Sequence, residues 1–269
     1  MTQYTNPKDD PRLTNELVTL ALTETDEDLA WDAVRALHWR GNLEVLERAT
    51  QLATSQCPRE RRLGADILGQ LGVPERFLPD QCKGILRVML SEGEDAGVLK
   101  SSLIALSHQN DIDAFPLFVK FSKHPDSDVR YSSVHALSIH ACHEVPLAIE
   151  TLIQLSNDTC DNVRDWATFS LGTLIEIDSQ QIREALAARL HDPHDDTRAE
   201  ALVGLAQRKD FRVVAALKRE LDSDCIGRLV VEAAELIASD ELYLQLVDLR
   251  EWWDVAPELL ERAIDASKR

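Results

Sequence analysis

The fold of this chain is decided by the stretch Asn162-Val-Arg-Asp-Trp-Ala-Thr-Phe-Ser-Leu-Gly172, because near copies of it lie at equal intervals before and after it. The earlier copy is Asp128-Val-Arg-Tyr-Ser-Ser-Val-His-Ala-Leu137, and the later copy is Asp196-Thr-Arg-Ala-Glu-Ala-Leu-Val-Gly-Leu205. A fixed period of this length is typical of stacked supersecondary units, each of which needs its neighbours to bury its apolar face. The three copies therefore predict a solenoid.

One arginine marks the same place in each copy: Arg130, Arg164 and Arg198. Counted from this arginine, the residue at +3 is small, the residue at +7 is leucine, and the residue at −1 is valine or threonine. Positions −1, +3 and +7 share one face of an α-helix, since a turn takes about 3.6 residues. The pattern predicts a helix whose small residue lets another helix approach closely.

The same template fits four more places along the chain. Arg61 fits it with Leu68 at +7, whereas Ala30, Leu99 and Val230 stand where the arginine would be. The anchor positions are therefore 30, 61, 99, 130, 164, 198 and 230, and the intervals outside the three close copies differ somewhat in length. Connecting loops absorb such differences in length at small cost.

An amphipathic helix and a turn rich in Asp, Asn and Pro precede each anchor helix. The clearest first helices are predicted over 144–155, 180–190 and 212–221, where apolar residues recur at helical spacing. Asp and Asn near a helix start accept hydrogen bonds from its free N–H groups. The predicted unit is a helix, an Asp-rich turn and a second helix.

No strand pattern competes with these helices, so the predicted fold class is all-α. We expect an α-α superhelix, a solenoid of about seven helical hairpins, over residues 12–250. A flexible segment, 1–11, is expected before it. A capping helix, 251–269, is expected after it and includes Trp252 and Trp253.

The chain is strongly acidic, with a net charge of −18 and a pI near 4.8. A phosphate backbone repels such a surface unless a basic stripe interrupts it, and the densest basic segment is only Arg59-Glu60-Arg61-Arg62. We therefore expect no nucleic-acid partner. A basic protein partner is favoured, because complementary fields speed encounter. The alternative is that the charge serves solubility alone.

The sequence favours a cytoplasmic location. Residues 1–11 lack a basic start followed by an apolar core, so no signal peptide is expected. The longest run without Asp, Glu, Lys or Arg, from Tyr131 to His143, is too short to cross a bilayer. Five cysteines without paired spacing are typical of a reducing compartment. We expect a cytoplasmic monomer without a membrane partner.

The sequence contains few motifs that could carry chemistry. Gly64, Gly69 and Gly72 lack the Lys-Ser/Thr of a phosphate-binding loop, so we interpret them as sites of close helix packing. The stretch His140-Ala-Cys-His-Glu144 is the richest in ligand-type side chains, but no C-x-x-C accompanies it. Neither a nucleophile elbow nor a zinc-protease motif occurs. We predict no catalytic residue, no metal site and no cofactor.

The anchor motif resembles the HEAT repeat in its short bacterial form, which is also called PBS-lyase-like. The resemblance rests on the three arginine-centred copies and spans about residues 12–245. It implies a ladder in which anchor arginines bond Asp carboxylates or turn carbonyls of adjacent repeats. The ladder residues are Arg61, Arg130, Arg164 and Arg198. Where Ala30, Leu99 and Val230 replace the arginine, we expect the ladder to be broken.

A narrower resemblance concerns residues 162–172 and 198–210. They are similar to a set of bacterial HEAT-repeat proteins, some encoded beside Rhs-type toxin genes and regarded as immunity proteins. This resemblance implies a protein-binding role. HEAT-like solenoids also include bilin lyases and alkyl-purine DNA glycosylases, although the acidic charge weighs against the latter.

Aromatic residues concentrate at the positions expected to face a partner. In stacked helix pairs the second helix usually lines the concave side, and positions +1, +2, +5 and +9 face away from its buried stripe. Since Trp and Tyr are enriched at binding hot spots, the predicted partner-binding residues are Trp31, Arg35, Trp39, Tyr131, His135, Asp165, Trp166, Phe169 and Glu200. Val203 is expected on the same ridge. The alternative for Trp166 and Phe169 is that they pack beneath neighbouring repeats.

These patterns lead to two functional hypotheses. The leading hypothesis is a non-catalytic module that binds a basic protein on its concave face, in its sharpest form a toxin-neutralising immunity protein. The alternative is a HEAT-repeat enzyme or chaperone, bilin-lyase-like or acting on a nucleobase. A deep pocket with convergent polar groups would favour the alternative, whereas a broad open groove would favour the protein-binding module.

Overall fold

The computed structural model describes residues 10–141 and 145–268, which form α-helices joined by turns, without strands in those ranges. The chain divides into two compact units between residues 139 and 140. Of the segment predicted to be flexible, residues 1–9 lie outside the described part. The two units are therefore considered separately.

The N-terminal unit is built from helices arranged as four successive pairs, the last of which ends just past the unit boundary. They are α1 (Thr14–Thr23), α2 (Glu27–Arg40), α3 (Leu43–Ala53), α4 (Pro58–Gln70), α5 (Pro79–Met89), α6 (Ala96–His108), α7 (Phe115–Phe121) and α8 (Ser127–Ala141). A short 3-10 helix, Ile112–Ala114, leads into α7. The anchor positions 30, 61, 99 and 130 fall in the second helix of each pair.

The C-terminal unit repeats this plan. Its helices are α9 (Pro146–Leu155), α10 (Asp161–Phe169), α11 (Gln180–Arg189), α12 (Asp195–Gln207), α13 (Val213–Leu221), α14 (Arg228–Ile237), α15 (Tyr243–Asp248) and α16 (Pro257–Ala266). A π-helical turn, Ser170–Leu174, extends α10. Two 3-10 helices, Asp240–Leu242 and Leu249–Glu251, flank α15.

Aspartate side chains begin three second helices of the N-terminal unit. Asp26, Asp95 and Asp126 each stand four residues before an anchor position. Each accepts hydrogen bonds from two backbone N–H groups at its helix start, at 2.9 to 3.3 Å. Such a cap stabilises a helix by about 1 kcal/mol. The Asp-rich turns therefore act as the helix-start signals that the sequence predicted.

Glycine lets α4 lie close to its neighbours. A Cβ atom added to Gly64 would stand 2.6 Å from the backbone N of Ala53 in α3, and one added to Gly69 would stand 2.9 Å from the Cα of Ala105 in α6. Close-packed interiors leave no room for such an atom. Helix packing therefore accounts for both glycines, whereas Gly72 lies in the turn after α4 with a φ of 78°.

A glycine contact and an arginine join α10, its π-helical turn and α12. A Cβ atom on Gly204 would stand 2.5 Å from the Cα of Gly172. Arg208, which follows α12, donates from Nη1 to the carbonyl oxygens of Gly172 and Gly204 and from Nη2 to those of Leu171 and Ile175, at 2.7 to 3.0 Å. The guanidinium thus satisfies carbonyl groups that the helix end leaves free.

The predicted fold class is confirmed, because each unit is a stack of helical hairpins. The hairpins number eight in the described ranges, since α15 and α16 pack together as a further pair. Helix α16 falls within the predicted capping segment 251–269. Before it, the indole Nε1 of buried Trp253 donates to the Ile226 carbonyl at 2.8 Å. No helix in residues 10–141 and 145–268 has both the length and the apolar character needed to cross a bilayer.

Candidate partner-binding surfaces

The four ladder arginines share a contact within their own hairpin. In each, Nη1 donates to the backbone carbonyl six residues earlier, at 2.8 to 3.0 Å: Arg61 to Ser55, Arg130 to His124, Arg164 to Asp158 and Arg198 to Asp192. We expected Asp carboxylates or turn carbonyls of adjacent repeats: the carbonyls bonded here belong to the arginine's own hairpin, whereas Arg164 does bond an Asp carboxylate, that of Asp192, in the following hairpin. A helical side chain leans toward the helix N-terminus, so the guanidinium reaches the turn that opens its own helix.

Carboxylates of the following hairpin also bind Arg61, Arg164 and Arg198. The pairs are Arg61 Nε with Glu94 at 3.0 Å, Arg164 Nε with Asp192 at 2.9 Å and Arg198 Nε with Glu220 at 2.9 Å. Only one of the three acids is an aspartate, and they lie 33, 28 and 22 residues beyond their arginines. The period locates the arginines, but it does not locate acids at such unequal distances.

Arg164 and Asp192 form the most enclosed of these three pairs. Two parallel hydrogen bonds join them, and only 8% and 2% of their side-chain surfaces are exposed. Burial by itself raises the pKa of Asp192, but hydrogen bonds from Arg164 and from the backbone N–H of His194 hold that pKa below its usual value. The pairing also raises the pKa of Arg164. The pair is a charged cross-link between two hairpins.

On α2, the predicted partner-binding residues have different environments. Trp31 is exposed over 46% of its surface, whereas Trp39 is half-buried. Arg35 is exposed and pairs with a carboxylate of the same helix. The indole of Trp31 stands edge-on to the imidazole of His38, with ring centroids 6.1 Å apart. Trp31 is therefore the more exposed of the two tryptophans on this helix.

On α8, Tyr131 and His135 are half-buried. The Nδ1 of His135 lies 3.4 Å from the hydroxyl of Ser107, and its ring stands edge-on to that of His108 at a centroid distance of 6.3 Å. Burial lowers the pKa of both histidines. His135 thus packs against α6 rather than projecting freely.

In the C-terminal unit, Asp165, Trp166 and Phe169 lie on α10, and Glu200 lies on the adjacent α12. All four are half-buried, and the two aromatic rings meet edge to face with centroids 5.6 Å apart. Val203 was expected on the same ridge, but it is only 2% exposed. Fewer residues of α12 are exposed than the helical pattern predicts, because α12 packs against both α10 and α14.

The carboxyl groups of Asp165 and Glu200 are close enough to repel one another. Burial is the largest cause that raises the pKa of Glu200 to about 7, and the charge of Asp165 adds to it. Burial also raises the pKa of Asp165, with further repulsion from Asp196. Thr173 donates its hydroxyl to Glu200 at 3.5 Å. Within the described part of the chain, neither carboxyl group pairs with a lysine or arginine, and one Asp165 oxygen is buried without a hydrogen bond.

A groove of about 740 Å³ opens beside Trp31 and is lined by α2, by α4 and by the end of α1 with the turn that follows it. Asp28 lies on its α2 wall, and Arg59 and Arg62 lie on its α4 wall. The sequence pattern did not predict this groove, although the basic segment that forms one wall was visible. Arg61 pairs with Glu94 in the ladder, whereas Arg59 and Arg62 are exposed.

Ligand-type side chains are dispersed in this fold. In residues 10–141 and 145–268, no group of three or more His, Cys, Asp or Glu residues is arranged to hold a metal ion. The cluster from His140 to Glu144 is described only in part, because residues 142–144 and the His140 side chain lie outside the described part. The prediction that this cluster binds no metal stays a prediction.

The chain is similar to known repeat proteins over most of its length. Residues 85–171 and 149–238 match the sequence profile of HEAT repeats. Protein YibA of Escherichia coli (strain K12) is 28% identical over 245 residues, which are 88% of this chain and 85% of YibA. The crystal structure of Escherichia coli YibA matches with a TM-score of 0.79 and 26% identity, over 96% of this chain and 93% of that one.

A crystal structure of an engineered protein shares the fold, with a TM-score of 0.54 and 20% identity over 94% of this chain and 77% of that one. The HEAT-repeat match covers more than half of the present sequence. It includes the three arginine-centred copies from which the period was read. The chain therefore belongs to the HEAT-repeat family.

Proposed function

We propose that this chain is a non-catalytic scaffold that binds a basic protein on the second helices of its hairpins. HEAT-repeat solenoids are generally protein-interaction scaffolds and are typically non-catalytic. The proposal adds the chemistry of the partner: a basic protein, and in its sharpest form a toxin that this chain neutralises. We also propose that the chain acts as a monomer in the cytoplasm.

The observation that carries this proposal is the pair of carboxyl groups on Asp165 and Glu200. They are half-buried on adjacent second helices, and among the described residues no lysine or arginine pairs with them. A cation placed between them would remove their repulsion and favour both charged forms. A partner arginine could bind both groups through its planar fork of donors. Because the pKa of Glu200 is about 7, such binding would release a proton from those chains in which Glu200 is protonated at neutral pH.

The aromatic pair beside these acids supports a protein partner. Trp166 and Phe169 are half-buried and supply apolar area next to the carboxyl groups, and Trp is among the residues that carry most binding energy at interfaces. The net charge of −18 would draw a basic protein toward this surface. The alternative of a bilin-like or nucleobase ligand has no observation in its favour among the described residues.

Calorimetric titration with the purified partner, identified by capture from the native cell, tests this surface. We expect Trp166→Ala to weaken binding by about 2 kcal/mol or more, because it removes a central apolar anchor. The matched control is Phe211→Ala, which truncates an exposed aromatic residue in the turn before α13. Equal affinities for the two folded variants would contradict the proposal.

A further inference from the structure

The groove beside Trp31 has an apolar floor. Val34 and Leu63, which are almost fully buried, form this floor together with Trp31, which is 46% exposed. The volume of about 740 Å³ lies within the range of sites that enclose ligands, roughly 300–1,000 Å³. The groove therefore offers apolar contact area beside an exposed indole.

The two walls of the groove carry opposite charges. Glu27 and Asp28 are exposed in the first turn of α2. Arg59 and Arg62 are exposed in the first turns of α4, and Asp66 lies deeper on the same helix. A ligand that spans the groove therefore meets carboxylates on one side and guanidinium groups on the other.

Arg59 and Arg62 differ from the arginines of the ladder. Arg61, which lies between them, is bonded to Glu94, whereas neither Arg59 nor Arg62 has an ion pair or a hydrogen bond to a described residue. Arg62 acts on Asp66 only through its charge at longer range. Acidic residues outnumber basic ones by 47 to 29, so unpaired arginines are unexpected here. Their free donors suit a carboxylate from outside the chain.

The indole of Trp31 is held from beneath. Its ring stands edge-on to buried His38, whose Nε2 lies 2.9 Å from the backbone carbonyl of Asp66. Burial lowers the pKa of His38 to about 4, so at neutral pH its uncharged ring donates Nε2–H to that carbonyl. The ring contact restricts the indole on one side, so that less conformational freedom is lost when a ligand packs on it.

We propose that this groove docks an extended segment of the partner protein whose basic, apolar and acidic side chains point to one face. This inference rests on the proposed function, because it gives that partner a second point of attachment. Alternate residues of an extended chain share a face at about 6.6 Å spacing. Three of them span about 13 Å, enough to bridge helices whose axes lie roughly 8–10 Å apart.

Charge complementarity determines how the segment lies. Its lysine or arginine approaches Glu27 and Asp28, its apolar side chain rests on Trp31, and its carboxylate approaches Arg59 and Arg62. A segment with two basic residues would place one of them against the guanidinium groups. The groove therefore selects a segment of mixed charge, whereas the Asp165–Glu200 surface selects a cation.

The inference is tested with synthetic peptides and the full chain. The probe is a blocked heptapeptide with lysine, leucine and glutamate at alternate positions and threonine between them. Comparison peptides replace the glutamate by lysine, the lysine by glutamate, or the leucine by serine. The readout is ¹⁹F NMR of the chain labelled with 5-fluorotryptophan, which reports on five tryptophans. The Trp31→Phe variant identifies the resonance of Trp31.

We expect the Lys-Leu-Glu peptide to shift the Trp31 resonance saturably, with a midpoint of roughly 1 mM or below. Each comparison peptide should bind at least several-fold more weakly. The double variant Arg59→Glu/Arg62→Glu should invert the preference, so that the peptide with two lysines binds best. The charge-matched control Lys83→Glu/Arg228→Glu changes two basic residues without a described ion pair and should keep the original preference.

The inference is overturned if the Lys-Leu-Glu peptide leaves the Trp31 resonance unchanged, or if the double variant keeps the original preference. The inverted preference of that variant guards against loss of folding, because an unfolded chain would bind none of the peptides. Failure here, with partner binding still sensitive to Trp166→Ala, removes the groove and leaves the proposed function intact. If the peptide binds to the groove but partner binding is insensitive to Trp166→Ala, the groove is retained and the proposed binding surface around Trp166 is contradicted.

Discussion

Charged side chains link successive hairpins of this chain at the scale of single residues. Arg164 donates a hydrogen bond to the Asp158 carbonyl in the turn of its own hairpin and another to the Asp192 carboxylate in the following hairpin. Removing one partner of a buried pair leaves the other charge uncompensated, which costs more than the pair itself contributes. The ladder should therefore be most sensitive at Arg164, where both side chains are enclosed.

Replacing Arg164 by alanine should lower the free energy of unfolding by about 3 kcal/mol, near the lower end for a broken buried pair. We expect a loss near the lower end because Arg189 still pairs with Asp192 and compensates part of its charge. The control is Arg262→Ala, whose exposed pair with Glu235 should contribute at most about 1 kcal/mol. Urea denaturation of both variants measures the difference. Equal denaturation midpoints for the two variants would contradict the claim that the ladder arginines stabilise the fold.

Glu200 should make stability depend on pH. Its pKa rises from 4.5 to about 7 on folding, so between these values the unfolded chain loses the proton first. The contribution of Glu200 to stability is therefore least unfavourable below pH 4.5, becomes more unfavourable as the pH rises to about 7, and stays so above it. Glu200→Gln should raise the melting temperature at about pH 8 and leave it unchanged at about pH 4. Glu150→Gln, on the exposed side of α9, should change neither value; a gain for Glu200→Gln at both pH values would contradict the assignment.

The sequence predicts single residues only in part. Equal spacing identified Arg164 and Arg198 as members of one ladder, because a repeated fold places them in equivalent surroundings. The same spacing did not identify Glu94 or Glu220, since these acids come from different places in the next hairpin. The raised pKa of Glu200 also depends on the packing of α10 against α12, which no local pattern encodes.

At the scale of helices, the close approach of glycines decides how second helices pack. Gly204 meets the backbone of Gly172, whereas Gly84, in α5, has no atom within 4 Å of the position of an added Cβ. These two glycines lie inside helices, where glycine is otherwise unfavourable. Packing compensates for this cost at Gly204 and not at Gly84.

The two glycines should respond to alanine in opposite directions. Gly204→Ala should destabilise the chain by about 1–3 kcal/mol, because the added methyl group would overlap backbone atoms that cannot easily move. Gly84→Ala should stabilise it by up to about 1 kcal/mol through helix propensity. Thermal unfolding of both variants gives the comparison. A stabilised Gly204→Ala chain would mean that α10 and α12 do not approach as closely as described.

Helix prediction succeeded where turn chemistry and periodicity agreed. Asp26, Asp95 and Asp126 each stand four residues before an anchor position, and the carboxylate of each accepts backbone N–H groups at the start of the following helix. Val203 was predicted to be exposed from the pattern of its own helix, but a neighbouring helix buries it. The pattern of a single helix contains no information about such neighbours. The groove beside Trp31 was also missed, because α1, α2 and α4 all contribute to its lining and the repeat pattern does not show which of their side chains stay exposed.

At the scale of the whole molecule, the acidic charge and the repeated second helices indicate how the chain would meet a partner. The charge of −18 acts over long distances and raises the rate of encounter with a basic protein. Asp165 and Glu200 would then act at short range, where their contacts slow dissociation. The fold was predictable because a fixed period of this length allows few architectures, whereas the partner was not, since a solenoid builds surfaces of many chemistries.

The measurement that tests the central claim most directly is the association rate with the purified partner as a function of salt. We expect a steep fall between about 0.05 and 0.5 M salt, because screening shortens the reach of the acidic field. The double variant Asp165→Asn/Glu200→Gln should associate more slowly at low salt, show a weaker salt dependence and dissociate faster. Glu150→Gln is the control on a first helix. Salt-independent association, or a double variant that matches the parent chain in both rates, would contradict the claim that this HEAT-repeat protein holds a basic partner on its second helices.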